Sequence, residues 1–132
     1  MYMLDTDICS YIIRLRPQSV LEKFKQVNAS DICISVVTQA ELLYGVERSS
    51  SQKINHEIVE SFINRLVILD WDSNAAKHYA YLRASMEAKG KNIGNLDMMI
   101  AAHALSIGAT VVTNNQRHFD MVDGLKVENW LV

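Results

Sequence analysis

Apolar and polar positions along the chain change period repeatedly. Short apolar runs give way to stretches in which apolar residues recur about every 3.6 positions, which predicts strands alternating with helices. YMLD, beginning almost at residue 1, reads as a first strand. The helix predicted after it runs from about Asp7 to Arg16, with Ile8, Tyr11, Ile12 and Leu15 on one face. Pro17, the single proline, is expected to open a second short helix at its first position, where its missing N–H costs nothing. DICIS reads as strand two, leading through VVT into a helix that ends around Gly45 to Ser49. INHEIVESFINRL has helical period and is followed by the strand VILDW. A long helix is expected from Asp72 to Lys89, closed by Gly90 as a C-terminal cap. LDMMIAAHALSIG reads as a nearly all-apolar helix ending at Gly108, TVVT as the last clear core strand and LKVENWL as a short terminal strand.

With no repeat, low-complexity run or linker, this alternation predicts one α/β domain over residues 1–132, a central, mainly parallel sheet with helices on both faces. A chain of 132 residues with 49% hydrophobic content can bury a core without disulfides or a structural metal. Cys9 and Cys33 both lie in apolar surroundings and are expected to be reduced and buried. No apolar run reaches about 18 residues, and MYMLDTD carries acids where a signal peptide needs a basic start. The expectation is a soluble, cytoplasmic protein without a membrane partner.

Charge narrows the function classes. Thirteen basic against fifteen acidic residues give a net charge of −2, which excludes a protein that coats nucleic acid through bulk positive charge. Local charge differs: Arg83, Lys89 and Lys91 face only Glu87 in RASMEAKGK, and Arg14, Arg16, Lys23 and Lys25 follow the first acidic motif. These are either solvated helix faces or basic flanks of an acidic pocket, an arrangement suited to a phosphodiester substrate.

The acidic pocket is suggested by Asp5 in MYMLDTD, Glu41 in SVVTQAELLYG and Asp97 in NIGNLDMMIAAHA. Each stands where a strand or loop meets a helix, and in a parallel α/β fold the loops after the strands gather along one edge of the sheet. Carboxylates about 5 Å apart at an effective dielectric near 20 repel by roughly 3 kcal/mol per pair, a cost that a hard divalent cation offsets. Each acid also has a purely structural reading. Asp5 suits a helix cap, Glu41 fits a capping box with Thr38, and Asp97 suits the positive end of a helix dipole.

LDTD, AELLYG, IGNLDMMIAAHA and VVTNNQRHF, in that order and across essentially the whole chain, resemble the PIN domain and in particular the VapC toxins of bacterial toxin–antitoxin modules. The resemblance implies a PIN-like fold and a Mg²⁺- or Mn²⁺-dependent endoribonuclease, usually homodimeric. It also implies a VapB-type antitoxin that occupies the acidic site, in a larger complex that meets operator DNA only through the antitoxin. Asp5, Glu41 and Asp97 match the family's acidic metal-site residues, while its fourth position, acidic in many members, is matched here to Asn115, which contributes no charge. Thr113, Asp7 and Arg117 are assigned to positioning of ligands or substrate, Asp7 alternatively to capping, and Asp120 is a nearby source of charge. Related toxins cut structured RNA, several in the anticodon loop of transfer RNA and some in the initiator, so transfer RNA is the implied substrate.

His56, His78, His103 and His118 show no paired spacing for zinc; His103 is expected in a core or interface, and His118, with Arg117, near substrate phosphate. Trp71 and Trp130 are expected to anchor packing. Two other functions compete. LDTD also resembles the first motif of haloacid-dehalogenase phosphatases, with Asp5 as nucleophile and Asp7 as acid/base, but VVTNNQRHFD supplies neither the lysine nor the acidic pair which that reading needs. The other is a catalytically weak binding module for RNA or protein.

Overall fold

Five short strands, β1 (Tyr2–Leu4), β2 (Ile32–Ser35), β3 (Val67–Leu69), β4 (Thr110–Val112) and β5 (Lys126–Glu128), pair in parallel in the spatial order β3-β2-β1-β4-β5. The computed structural model describes residues 1–132. Between the strands run seven helices: α1 (Thr6–Ile13), α2 (Gln18–Gln26), α3 (Val36–Arg48), α4 (Gln52–Ile63), α5 (Ser73–Ala88), α6 (Asn95–Ile107) and α7 (Gln116–Phe119). A 3₁₀ turn, Ala29–Asp31, leads into β2. The sheet is entirely parallel, and each central strand is apolar on both faces, as burial on both sides requires.

The register shows how one strand feeds two cores. Met3 pairs with Cys33 and Val111, and these three point into one cluster with Leu82 and Met86 of α5, Met98 and Ile100 of α6, and Phe119 of α7. Leu4, Ile34 and Val112 point the other way, against Ile8 and Ile12 of α1, Val20 of α2, Leu42 of α3 and Phe62 of α4. Burying each such side chain stabilises the fold by about 1.5–3 kcal/mol. Cys9 and Cys33 are free and buried in opposite clusters, as their apolar surroundings predicted.

Three local expectations fail. Helix α1 stops at Ile13, and Leu15, expected on its buried face, has φ 58° and is 73% exposed. The periodicity carries past the true end because Leu15 stands three residues after Ile12 and seven after Ile8, a helical spacing that the backbone no longer follows. Pro17 is the extended N-cap of α2, so the helix begins at Gln18, one position later than predicted. The Thr38–Glu41 capping box is absent, because α3 starts earlier: VVT lies inside the helix, and Ser35 caps it by accepting the amide of Val37 at 3.1 Å. By contrast, α5 is capped by Asp72 and ends before Gly90, whose φ of 68° suits a residue without Cβ.

Strand order decides where a site can form. From β1 the chain builds β2 and β3 to one side, then crosses to β4 and β5 on the other. The carboxyl ends of β1 and β4 therefore flank the point where the connections diverge, the usual crevice of an open parallel sheet. Asp5 follows β1 directly, and Thr113, Asn114 and Asn115 follow β4.

Candidate active site at the carboxyl edge of the sheet

Asp5 lies at the centre of this edge, only 6% exposed. Its Oδ1 accepts from the amide of Thr6 at 2.8 Å, so it does cap α1, and its Oδ2 accepts from the Thr113 hydroxyl at 2.8 Å. Its backbone amide donates to the Val112 carbonyl at 2.9 Å, which fixes the side chain between β1 and β4. Burial, with the charge of Asp7 and then of Asp97, pushes the Asp5 carboxyl up to about 7, against the opposing hydrogen bonds from Thr113 and Thr6. The cap is thus a carboxylate in electrostatic difficulty.

The other acids gather around it. Glu41, in the middle of α3, accepts from the Thr6 hydroxyl at 2.8 Å, so the threonine between Asp5 and Asp7 joins the two acidic segments. Asp7 Oδ1 accepts from the Ile8 amide at 2.6 Å and Oδ2 from the Asn114 amide at 3.1 Å, clasping the β4–α7 loop to α1. Burial raises the Asp7 carboxyl as well. Asp97 stands in the first turn of α6, after Gly94 at the N-cap, and is close enough to Asp5 and Asp7 to raise both. Thr113, fully buried, also accepts the Asn115 amide at 2.9 Å.

Sequence reasoning placed Asp5, Glu41, Asp97, Thr113, Asn115 and Asp7 here, and the fold brings all six to one edge. Arg117 and Asp120 are exposed on and after α7 and take no side-chain part in the network. Two further residues join them. Thr6 was legible as the residue between the two aspartates of LDTD. His118 was not, because its partner lies 21 positions away: Nδ1 is 3.2 Å from Asp97 Oδ2 and 2.8 Å from Asn115 Nδ2. His103 sits elsewhere, 2% exposed, with Nδ1 2.8 Å from the Ser35 hydroxyl.

No lysine or arginine pairs with these carboxylates. The basic residues of segment 83–91 are engaged at the surface instead, Arg83 with Glu87 at 2.9 Å and Lys89 with Asp123 at 2.7 Å. The Asp, Glu, His and Cys side chains do not close into a three-ligand cage in this structure. The donor set nevertheless fits the divalent cation that the resemblance implies: hard carboxylate oxygens, partly buried, mutually repulsive and without a protein cation. Trp71 and Trp130 take no part and anchor packing: their indole N–H groups donate to the Met99 carbonyl at 3.0 Å and to Glu128 at 3.2 Å.

A groove of about 770 Å³ opens beside the acids. Ile13 of α1, Leu42 and Val46 of α3, and Ile58 and Val59 of α4 line it, and Thr6 and Glu41 border it at the acidic edge. It is therefore built by α1, α3 and α4.

Known proteins share this whole arrangement. The chain is 44% identical over 129 residues to the "tRNA(fMet)-specific endonuclease VapC" of Shigella flexneri, covering 98% of this chain and 97% of that one. It is 45% identical over 130 residues to "Ribonuclease VapC2" of Haemophilus influenzae, covering 98% of each. Among solved structures, the DNA-bound VapBC of Salmonella typhimurium contains a chain that superposes with a TM-score of 0.93 at 44% identity, covering 98% of this chain and 97% of that one. The PIN domain family matches residues 2–125. With its parallel sheet and its acids at the β1–β4 edge, the chain belongs to the PIN domain family, in the branch of the VapC ribonucleases.

Proposed function

We propose that this chain is the toxin of a type II toxin–antitoxin pair, a divalent-metal-dependent endoribonuclease that cuts structured RNA, with the anticodon loop of initiator transfer RNA as its target. The observation that carries this reading is the convergence of Asp5, Asp97 and Glu41 on one crevice with no lysine or arginine to neutralise them. The similarity to a tRNA(fMet)-specific endonuclease supports the choice of RNA. A single-stranded loop suits the shallow crevice, because an unstacked, kinked backbone can bring one phosphate down to the acids.

Each residue has a task. Asp5 and Asp97 would hold a Mg²⁺ or Mn²⁺ ion, with Glu41 as a further ligand or as the acceptor that orients the attacking water. When bound, the ion would supply an acidified water and positive charge beside the scissile phosphate. Thr113 holds Asp5 by its Oδ2 and Thr6 holds Glu41 by its Oε1, so both carboxylates are fixed before substrate arrives. Asp7 fixes the loop that carries Asn114 and Asn115. Arg117, exposed on α7, would meet substrate phosphate. Hydrolysis by water would leave a 5′-phosphate and a 3′-hydroxyl.

The apolar groove would receive an amphipathic helix of a VapB-type antitoxin, with a basic side chain reaching the carboxylates. The complex would contain a toxin homodimer, for which exposed α5, with Tyr81 80% accessible, offers a surface, and would reach operator DNA through the antitoxin. No helix is long and apolar enough to cross a membrane, and a transfer RNA target would put the protein in the cytoplasm.

Single-turnover cleavage of purified transfer RNAs, with Mg²⁺, with EDTA and with Asp97→Asn, tests the reading. A discrete cut in one loop, lost in EDTA and in the variant, is expected. Folded, antitoxin-free protein that cuts no RNA under any divalent ion would favour a PIN-fold binding module instead.

A further inference from the structure

Three polar atoms meet at the mouth of the crevice in an arrangement that hydrogen bonds alone leave incomplete. Asp97 Oδ2, Asn115 Nδ2 and His118 Nδ1 are mutually 3.4, 2.8 and 3.2 Å apart. A carboxylate oxygen only accepts, an amide nitrogen only donates, and an imidazole nitrogen does one or the other. With Nδ1 unprotonated, Asn115 donates to both neighbours and two lone pairs face each other between His118 and Asp97. With Nδ1 protonated, the imidazole and amide N–H groups oppose each other at 2.8 Å. Turning the Asn115 amide by half a turn leaves one N–H of a protonated Nδ1 shared between two acceptor oxygens or, with Nδ1 unprotonated, three acceptors facing one another. Three mutually adjacent atoms cannot all be donor–acceptor pairs.

One cation removes the conflict. With the amide turned, the carboxylate oxygen of Asp97, the amide oxygen of Asn115 and the unprotonated Nδ1 of His118 present three lone pairs to a common point. Ligands about 2.1 Å from an ion and at right angles to one another lie about 3 Å apart, close to the three separations here. Resting on the metal-dependent reading above, we propose that His118 is a nitrogen ligand of the metal centre, that with Asn115 it fills the position where many PIN domains carry a fourth acid, and that it gives the site a preference for Mn²⁺ over Mg²⁺. An imidazole is neutral and softer than a carboxylate. Mg²⁺ takes oxygen ligands and keeps its waters, whereas first-row transition ions accept nitrogen. The His118 side chain is 40% exposed on the short α7, so it can be replaced without opening the core.

The test uses the full chain free of antitoxin, with Mn²⁺ binding followed by electron paramagnetic resonance and Mg²⁺ by competition. The spin-echo modulation of the Mn²⁺ complex is expected to show imidazole nitrogen coupling, lost in His118→Ala and in His118→Gln. Both variants are expected to bind Mn²⁺ at least about tenfold more weakly while Mg²⁺ affinity changes about twofold or less. His118→Glu is expected to lose the nitrogen signal and bind Mg²⁺ more tightly than the wild type. Circular dichroism establishes that each variant is folded, and His118→Gln retains a polar side chain if the alanine variant is not. A wild-type Mn²⁺ complex without nitrogen coupling, or equal losses of both ions in His118→Gln, would overturn the proposal. If Asp97→Asn still lost both ions and cleavage in that case, the ribonuclease reading would stand without His118. Cleavage that persists in EDTA and in Asp97→Asn would overturn both.

Discussion

Adjacent strands β1 and β2 end alike, on a buried polar residue that caps the following helix, yet the two junctions differ in charge. Ser35 is fully buried, accepts the Val37 amide at 3.1 Å and lies 2.8 Å from His103 Nδ1. Its hydroxyl both donates and accepts, so the pair is satisfied within the protein. Asp5 accepts two hydrogen bonds of similar length, but it faces Asp7 and Asp97 and no protein cation. Buried polar caps therefore do not by themselves mark a site on this sheet. What separates the two junctions is uncompensated charge, the part that structure alone does not need.

The largest consequence is opposite effects on activity and stability. Asp5→Asn keeps an acceptor and the shape of the side chain but removes the charge. RNA cleavage is expected to fall about 10³-fold or more, since several kcal/mol of transition-state stabilisation is lost, while the thermal midpoint in EDTA rises. Ser35→Ala should do the reverse, with cleavage per folded molecule unchanged and stability reduced by about 1–2 kcal/mol as the cap is lost and His103 loses its partner. Denaturant titration in EDTA beside single-turnover kinetics checks both. If Asp5→Asn destabilised the metal-free domain as Ser35→Ala does, the contrast would collapse to two structural caps.

The two junctions should also respond to pH in opposite directions. Asp5, raised to about 7 without metal, holds a proton in the folded state that it gives up in the unfolded state above about pH 4. Its contribution is complete below the unfolded value and is lost as pH rises toward and through 7. Burial lowers His103, opposed by the charges of Asp72 and Asp70 and a backbone contact at Asp70. Its contribution is complete above the unfolded value near 6.5 and is lost as pH falls below it. Melting curves in EDTA are expected to lose the alkaline decline in Asp5→Asn and the acid-side decline from this source in His103→Gln. Added Mn²⁺ or Mg²⁺ should cancel the alkaline decline alone. A decline that metal leaves unchanged would locate it away from Asp5.

How far the sequence carried follows the same division. Both cores were legible because β1, β2 and β4 are short runs buried on two faces, and the helices between them keep their period. Asp5 and Asp97 were legible because one ends a strand and the other begins a helix, so topology alone places them at one edge. Local ends were less so: Leu15 continues an apolar pattern into a left-handed turn, and Ser35 displaced Thr38 as the cap of α3. His118 was hardest, since nothing local joins it to Asp97; only the fold of α7 against α6 does.

Thr38 tests the boundary between the two regions with the smallest expected effect. It stands on α3 three residues after Ser35 and three before Glu41, is fully buried, and its hydroxyl alone among buried side-chain polar atoms has no hydrogen-bond partner. An orphaned buried hydroxyl costs about 1–3 kcal/mol relative to a satisfied one, and valine has nearly the same shape. Thr38→Val is therefore expected to stabilise the metal-free domain by about 1 kcal/mol and to leave single-turnover cleavage within about twofold. A loss of cleavage without a loss of stability would mean that the hydroxyl serves Glu41 or a water beside it, and the boundary of the site would then lie one helical turn closer to Ser35.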